Sequence, residues 1–226
     1  MNTFISIMIL SMPKETQAQK KARAKAIIRI LKKTYPDAHC ALNYSSAWEL
    51  LVATILSAQC TDKRVNLVTP GLFKKYPRIT DFADAPFLEI EKQIHSTGFY
   101  KNKAKNIQAA ARVILSQHQG QIPKTMDELV LIPGVGRKTA NVVLGNYFKI
   151  PGLTVDTHMI RINRLLAFSN SEDAVKVEYQ LMELIEKKEW VIYTHLIIQH
   201  GRARCVARRP DCGNCEIAKL CPGKAI

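Results

Sequence analysis

The chain has 226 residues, of which 47% are hydrophobic, and it carries 33 Lys and Arg against 19 Asp and Glu for a formal charge of +14. That apolar fraction supports a folded core in one large domain or two small ones and excludes an acidic, weakly hydrophobic disordered chain. The positive charge is spread along the chain rather than gathered in a tail, so a folded face that binds a polyanion, most often nucleic acid, is expected. The apolar run FISIMILSM, Phe4 to Met12, has no Lys or Arg before it and is shorter than a membrane span. It is read as an extension ahead of a later start at Met8 or Met12, with neither a secretory leader nor a membrane anchor.

No stretch alternates apolar and polar residues for long enough to make a strand, while helical periodicity recurs from end to end, so the fold class is all-α. Gln17 to Tyr35 sets Ala26, Ile27, Ile30 and Leu31 on one face with lysines opposite, and Pro36 stops it. Ser46-Ala-Trp-Glu49 reads as a capping box opening an apolar helix that runs into SAQCTD. Lys103 to Gln117 is amphipathic and ends near Gly120, and Thr125-Met-Asp-Glu128 is a second capping box. Thr125 to Tyr147 is then a helix, a glycine hairpin and a second helix. KIPGLTVDTH is a loop that delivers Asp156 to the start of a helix continuing through Leu166. Glu172 to Lys187 and Trp190 to His200 follow as helices, with Gly201 ending the second. There is no internal repeat, low-complexity tract or long linker. A two-domain arrangement places its boundary near Pro151.

LIPGVGRKTANVVLG, Leu131 to Gly145, carries the first functional signal. Two glycines in three residues permit a tight turn that side chains forbid, and a new helix begins at once. Exposed amides at a helix N-terminus, with Arg137 and Lys138 beside them, suit a phosphate, as in a helix-hairpin-helix that grips DNA. On this stretch alone Lys138 reads as one solvated lysine among many. A lysine that acts as a nucleophile must be partly neutral, which neighbouring cations and helix N-termini favour. Asp156 is the nearest downstream partner for it and also an ordinary N-cap residue; the two roles are compatible.

The second signal is C-x6-C-x2-C-x5-C at Cys205, Cys212, Cys215 and Cys221, with Cys40 and Cys60 far away. Such clustering suits a metal centre in a reducing compartment better than a disulfide framework. Zinc ribbons usually pair two C-x2-C knuckles, and the presence of one leans toward an iron-sulfur cluster. Arg208 and Arg209 lie between the first two ligands, so the metal shapes a basic, DNA-contacting loop; a solvated charged loop is the plainer alternative.

Together these pieces resemble the endonuclease III family of iron-sulfur DNA glycosylases and abasic-site lyases in the helix-hairpin-helix superfamily. The resemblance runs from about Lys20 to Pro222 through LSAQCTD, TGFYKNKA, LIPGVGRKTANVVL, VDTH, HGRARC and the four cysteines. It implies two helical domains: a six-helix barrel over 40–150, and a discontinuous domain of 1–39 and 151–226 with a C-terminal 4Fe-4S cluster loop. Damaged duplex DNA would bind across their cleft. It also implies that Lys138 is the nucleophile and Asp156 its catalytic partner, and that the four cysteines hold a 4Fe-4S cluster. DNA contacts fall to Gln59 and Phe99, which fill the space left by an extruded base, to Gly134, Val135, Gly136, Arg137 and Thr139 of the hairpin, and to His158. The implied reaction removes oxidised pyrimidines such as thymine glycol through a Lys Schiff base and cuts 3′ to the abasic site by β-elimination. The implied setting is a monomer in the bacterial cytoplasm, associated with the nucleoid and not with a membrane.

Two features depart from the family pattern: MIRINRLLAF replaces an R-V-x-N-R type of run after VDTH, and Phe99 is bulkier than the leucine common at the wedge. Adenine-mismatch glycosylases generally lack the lysine and add a C-terminal domain, whereas Lys138 is present here and the sequence stops five residues after Cys221, which together argue against that assignment. A pyrimidine-dimer glycosylase on the same scaffold and a noncatalytic DNA-binding protein with a structural metal remain as alternatives.

Overall fold

The computed structural model describes residues 15–224, so the apolar run Phe4 to Met12 lies outside the described residues. Within them the chain is helical with no strand, as its periodicity predicts. In chain order the helices are α1 (Gln17–Thr34), α2 (Ala47–Leu56), α3 (Asp62–Lys75), α4 (Ile79–Asp84), α5 (Phe87–Ile94), α6 (Tyr100–His118), α7 (Met126–Leu129), α8 (Arg137–Asn146), α9 (Thr157–Leu165), α10 (Ala174–Leu184) and α11 (Trp190–Ala203). They divide into two compact units: Cys40–Thr154, and the described residues up to His39 taken with those from Val155 onward.

In the Cys40–Thr154 unit the central element is α2, in which every residue except Glu49 is buried. A helix that is apolar all round has no face for water and must be enclosed; here α3, α6 and α8 pack against it. Trp48 meets Phe82 of α4 edge-on at 5.3 Å, and Tyr76 meets the same ring at 5.4 Å. Buried Gln108 on α6 donates to the Ala85 carbonyl at 2.8 Å and so holds the link between α4 and α5.

In the other unit α1 lies against α10 and α11, and α11 lies against α9. Ile27, Leu31, Met159, Ile162, Leu181, Tyr193 and Ile197 are its fully buried apolar residues of note. Arg23 ties the unit's distant segments together. It donates to the Leu166 carbonyl at 2.9 Å and the Leu220 carbonyl at 3.1 Å, pairs with Glu15, and stacks on Phe168 at 4.5 Å.

Several local expectations need correction. Gly201 does not end the last helix: α11 continues to Ala203. A Cβ at Gly201 would sit 2.6 Å from His158 Cδ2 and 2.9 Å from Ile162 Cδ1, so the glycine lets α9 approach. The helix anticipated over Glu172 to Lys187 is shorter, because Asp173 caps it by accepting from Lys176 N–H at 2.8 Å and Ile185 is extended. The two capping boxes are half-formed. Ser46 and Thr125 accept from the N–H groups of Glu49 and Glu128, but Glu49 takes its return bond from Ser45 and Glu128 from the Thr125 hydroxyl. The first helix of the hairpin is a single turn, Met126–Leu129.

Candidate nucleic-acid interface and metal centre

The hairpin between α7 and α8 is held from inside by buried Ile132 and Val135, with Val135 N–H donating to the Ile132 carbonyl at 3.0 Å. Gly134 has φ +77, and a Cβ there would lie 2.7 Å from Asn106 Cβ, so both backbone conformation and packing demand glycine. Gly136 differs. Its φ is −90 and a Cβ would meet nothing within 4 Å, so neither reason applies. As the N-cap of α8 it offers no side-chain oxygen to the first turn, where a ligand anion can take that place. Lys138 is exposed on that turn, with Arg137 and Thr139 half-buried on either side.

Gln59 and Phe99 occur in the same unit in the same unusual state. Both are exposed non-glycine residues with left-handed backbone, φ +52 and +47. Gln59 lies in the link from α2 to α3, and Phe99, 64% exposed, immediately precedes α6.

Asp156 and His158 belong to the other unit. Asp156 caps α9, accepting from Met159 N–H at 2.9 Å through one carboxylate oxygen, while the other lies 3.1 Å from His158 Nδ1. The cap thus uses one carboxylate oxygen and the other faces His158. The unusual run after VDTH forms a regular helix: Met159, Ile162 and Asn163 face inward, and Asn163 binds the Met159 carbonyl and the Tyr193 hydroxyl.

The four clustered cysteines line one cavity of about 290 Å³ together with Ile162, Leu165, Val206 and Ile217. Burial pushes the Cys215 and Cys221 thiols up, and the other cysteines of the cluster add to the effect. Arg161 Nη1 donates to Cys205 Sγ at 3.4 Å, and His200 Nε2 lies 3.7 Å from Cys215 Sγ. His200 is buried, which lowers its pKa, and its Nδ1 is 3.2 Å from the Tyr35 hydroxyl, whose own pKa burial raises to about 12. A protonated tyrosine donating to Nδ1 leaves Nε2–H to donate to the sulfur. The sequence expectations did not include Arg161, His200 and Tyr35. His200 was the most findable of them, as a histidine five residues before Cys205 in an apolar helix. The ligand atoms of His200, Cys215 and Glu216 lie within 4.8 Å of one another, and Glu216 is engaged by Arg204 at 3.1 Å. The exposed Arg208 and Arg209 lie on the loop from Cys205 to Cys212.

Residues 52–187 match the model of the HhH-GPD superfamily base excision DNA repair proteins. Endonuclease III of Synechocystis is 53% identical over 206 residues, covering 91% of this chain and 94% of its own. The chain belongs to the endonuclease III family. The Bacillus subtilis endonuclease III is 45% identical, over 83% of this chain and 86% of its own. A solved endonuclease III, trapped as a covalent intermediate with DNA in an estranged-adenine complex, superposes with a TM-score of 0.86 at 42% identity, covering 90% of this chain and 96% of that one. The endonuclease III fold is thus shared almost end to end, with a cysteine-rich C-terminal region in place. No helix among the described residues is long and apolar enough to cross a membrane.

Proposed function

We propose that the chain is a base-excision-repair DNA glycosylase with abasic-site lyase activity, acting on oxidised pyrimidines such as thymine glycol in duplex DNA. The observation that carries the reading is the exposed Lys138 on the first turn of α8, whose N-cap Gly136 makes no side-chain cap. It is supported by relatedness to endonuclease III, one member of which has been trapped as a covalent DNA intermediate. A reacting C1′ is inaccessible inside a stacked duplex, so the nucleotide is extruded, and Gln59 and Phe99 fill the gap and face the orphaned base.

Lys138 Nζ then attacks C1′. The N–C1′ bond forms as the glycosidic bond breaks, and the base leaves with that electron pair and a proton. Asp156 takes the proton shed by the amine or stabilises positive charge on the sugar. Opening of the sugar ring gives the Lys138 imine, which acidifies the C2′ proton. Loss of that proton expels the 3′ phosphate by β-elimination and cuts the strand.

The metal centre fits a 4Fe-4S cluster better than zinc. Its four thiols line one cavity, the single C-x2-C knuckle departs from the paired knuckles of zinc ribbons, and donors from Arg161 and His200 reach two of the sulfurs. When bound, the cluster supplies four iron–thiolate bonds that lock the Cys205–Cys221 segment, and Arg208 and Arg209 on it meet phosphates. The purified protein is expected to be yellow-brown with about four irons; a colourless zinc form after anaerobic purification overturns this part of the reading.

The deciding experiment is borohydride trapping on a duplex with one thymine glycol, comparing the parent with Lys138→Ala. A covalent adduct from the parent alone is expected. Trapping by Lys138→Ala removes Lys138 as the nucleophile. Absence of an adduct from a metal-replete parent, on thymine glycol and on a plain abasic site alike, removes the lyase reading.

A further inference from the structure

Lys103 is a lysine in an improbable place. It lies on the first turns of α6 and is only 5% exposed, and burial lowers the pKa of its ammonium against the opposing influence of the nearby Cys60. Nothing in the reaction proposed above uses it. Its Nζ donates to two backbone carbonyls, Leu56 and Thr97, each at 2.8 Å.

Those two carbonyls have a common significance. Leu56 is the last residue of α2, three residues before Gln59, and its carbonyl is one of the groups a helix C-terminus leaves without an intrahelical partner. A cation at that end is also favoured by the helix dipole. Thr97 closes the 3₁₀ turn His95–Thr97, two residues before Phe99. The backbone N–H of Lys103 itself donates to the Phe99 carbonyl at 3.1 Å. One residue therefore holds the Phe99 turn at the Thr97 and Phe99 carbonyls and the Gln59 turn at the Leu56 carbonyl. Gln59 and Phe99 are both held in left-handed backbone, which costs of order 1 kcal/mol or more for each and persists only where the surroundings enforce it. Elsewhere the unit combines apolar packing with polar ties that each serve one link, such as Gln108 to the Ala85 carbonyl. These two loops share a charge-assisted clamp, whose short, directional bonds fix distance in a way that apolar contact does not.

We propose that Lys103 is a positioning residue that fixes the spacing and backbone conformation of the two duplex-penetrating residues, Gln59 and Phe99, by holding both of their loops on one ammonium group. The proposal rests on the glycosylase and lyase reading and on the wedge role it gives to those two residues. Lys103 touches neither DNA nor the reacting sugar in this scheme. It acts before the chemistry, when the duplex is opened.

The test compares Lys103→Met with the parent on an abasic site in duplex DNA and on the same site in a single strand, where no wedge is needed. Lys103→Met is expected to lose roughly tenfold or more on the duplex and less than about twofold on the single strand. In a Gln59→Ala/Phe99→Ala background, adding Lys103→Met is expected to change duplex cleavage by less than about twofold, because the parts it positions are already gone. A readout without chemistry is the fluorescence of 2-aminopurine opposite a tetrahydrofuran abasic analogue. The parent brightens it on binding and Lys103→Met does not.

Equal losses on both substrates, full additivity in the wedge-free background, or undiminished duplex cleavage each overturn the proposal. A parent that cuts neither substrate overturns the enzymatic reading first and the clamp with it. If Lys103→Met does not fold, Lys103→Gln, which keeps N–H donors without the charge, takes its place in the same comparison, and the same outcomes decide.

Discussion

In the proposed reaction the Asp156 carboxylate has two duties, cap and catalytic partner, and a single atom change can separate them. Its first oxygen caps α9 at Met159 N–H and its second faces His158. Asparagine retains a capping oxygen but not the charge, whereas alanine removes both, and loss of an N-cap costs typically about 1 kcal/mol. Asp156→Asn is therefore expected to unfold in urea within about 0.5 kcal/mol of the parent and yet cleave roughly a hundredfold more slowly. Asp156→Ala should lose both stability and activity. Cleavage that merely tracks stability across the two variants would leave Asp156 a cap and nothing more. The role of Gly201 is steric. With His158 Cδ2 only 2.6 Å from the place of its missing Cβ, Gly201→Ala must push the imidazole away from its neighbour Asp156 or separate α9 from α11. Overpacking of this kind costs about 1–3 kcal/mol, to be read as a lowered urea midpoint; an unchanged midpoint would mean that the helices yield freely. Periodicity in the sequence could not reveal this use, because a glycine that admits a neighbouring helix and one that stops its own look alike until the neighbour is known.

Among the elements, legibility followed the strength of local signals. α1 was readable from its periodicity and the Pro36 stop, although it buries Ala24 and Ile28 with Ile27 and Leu31 rather than Ala26 and Ile30, and α9 was readable from Asp156 at its start. The stretch from α3 to α5 carried no such signal: α3 contains Pro70 and Gly71, α4 has six residues and α5 has eight. Those helices owe their existence to packing, α3 on α2 and α4 and α5 on α6, rather than to propensity. The candidate site divides in the same way. The hairpin, Asp156 and the four cysteines are contiguous in sequence and were visible there. Lys103, His200 and Tyr35 act through partners far along the chain, with Lys103 reaching Leu56 and Tyr35 reaching His200. Arg23 is the same kind of residue at the level of whole segments, since it bonds carbonyls 143 and 197 positions away. Arg23→Met would leave the Leu166 and Leu220 carbonyls without that donor, and charged-group hydrogen bonds of this type are worth about 1.5–3 kcal/mol. A lower urea midpoint is expected, with faster release of iron to a chelator because Leu220 adjoins Cys221. Stability and iron release both equal to the parent's would show that α1 is held by its apolar face alone.

Across the whole molecule the excess of positive charge is the property that DNA meets first, and its +14 says nothing about which charges matter. Salt dependence does. The logarithm of affinity falls with the logarithm of salt by about 0.9 for each duplex phosphate neutralised. If Arg208 and Arg209 each neutralise one, changing both to serine should lower the slope by roughly 1.8, measured on an undamaged duplex so that base extrusion and cleavage do not enter. An unchanged slope would make theirs a solvated loop, like many other lysines and arginines on this surface. The same measurement asks what the cysteines are for. The two arginines lie on a short loop between Cys205 and Cys212, and few other bonds hold it: Asp211 N–H donates to the Arg204 carbonyl at 2.9 Å, and the Arg204 side chain pairs with Glu216 and Asp211. Ion pairs this exposed contribute little, and on the proposed reading thiolate–metal bonds would keep the loop in one shape. Removing iron from the parent should then reduce its slope to that of the serine variant, while removing iron from the serine variant should change nothing further. A parent slope that survives iron removal would separate the metal from DNA binding and leave it a purely internal staple.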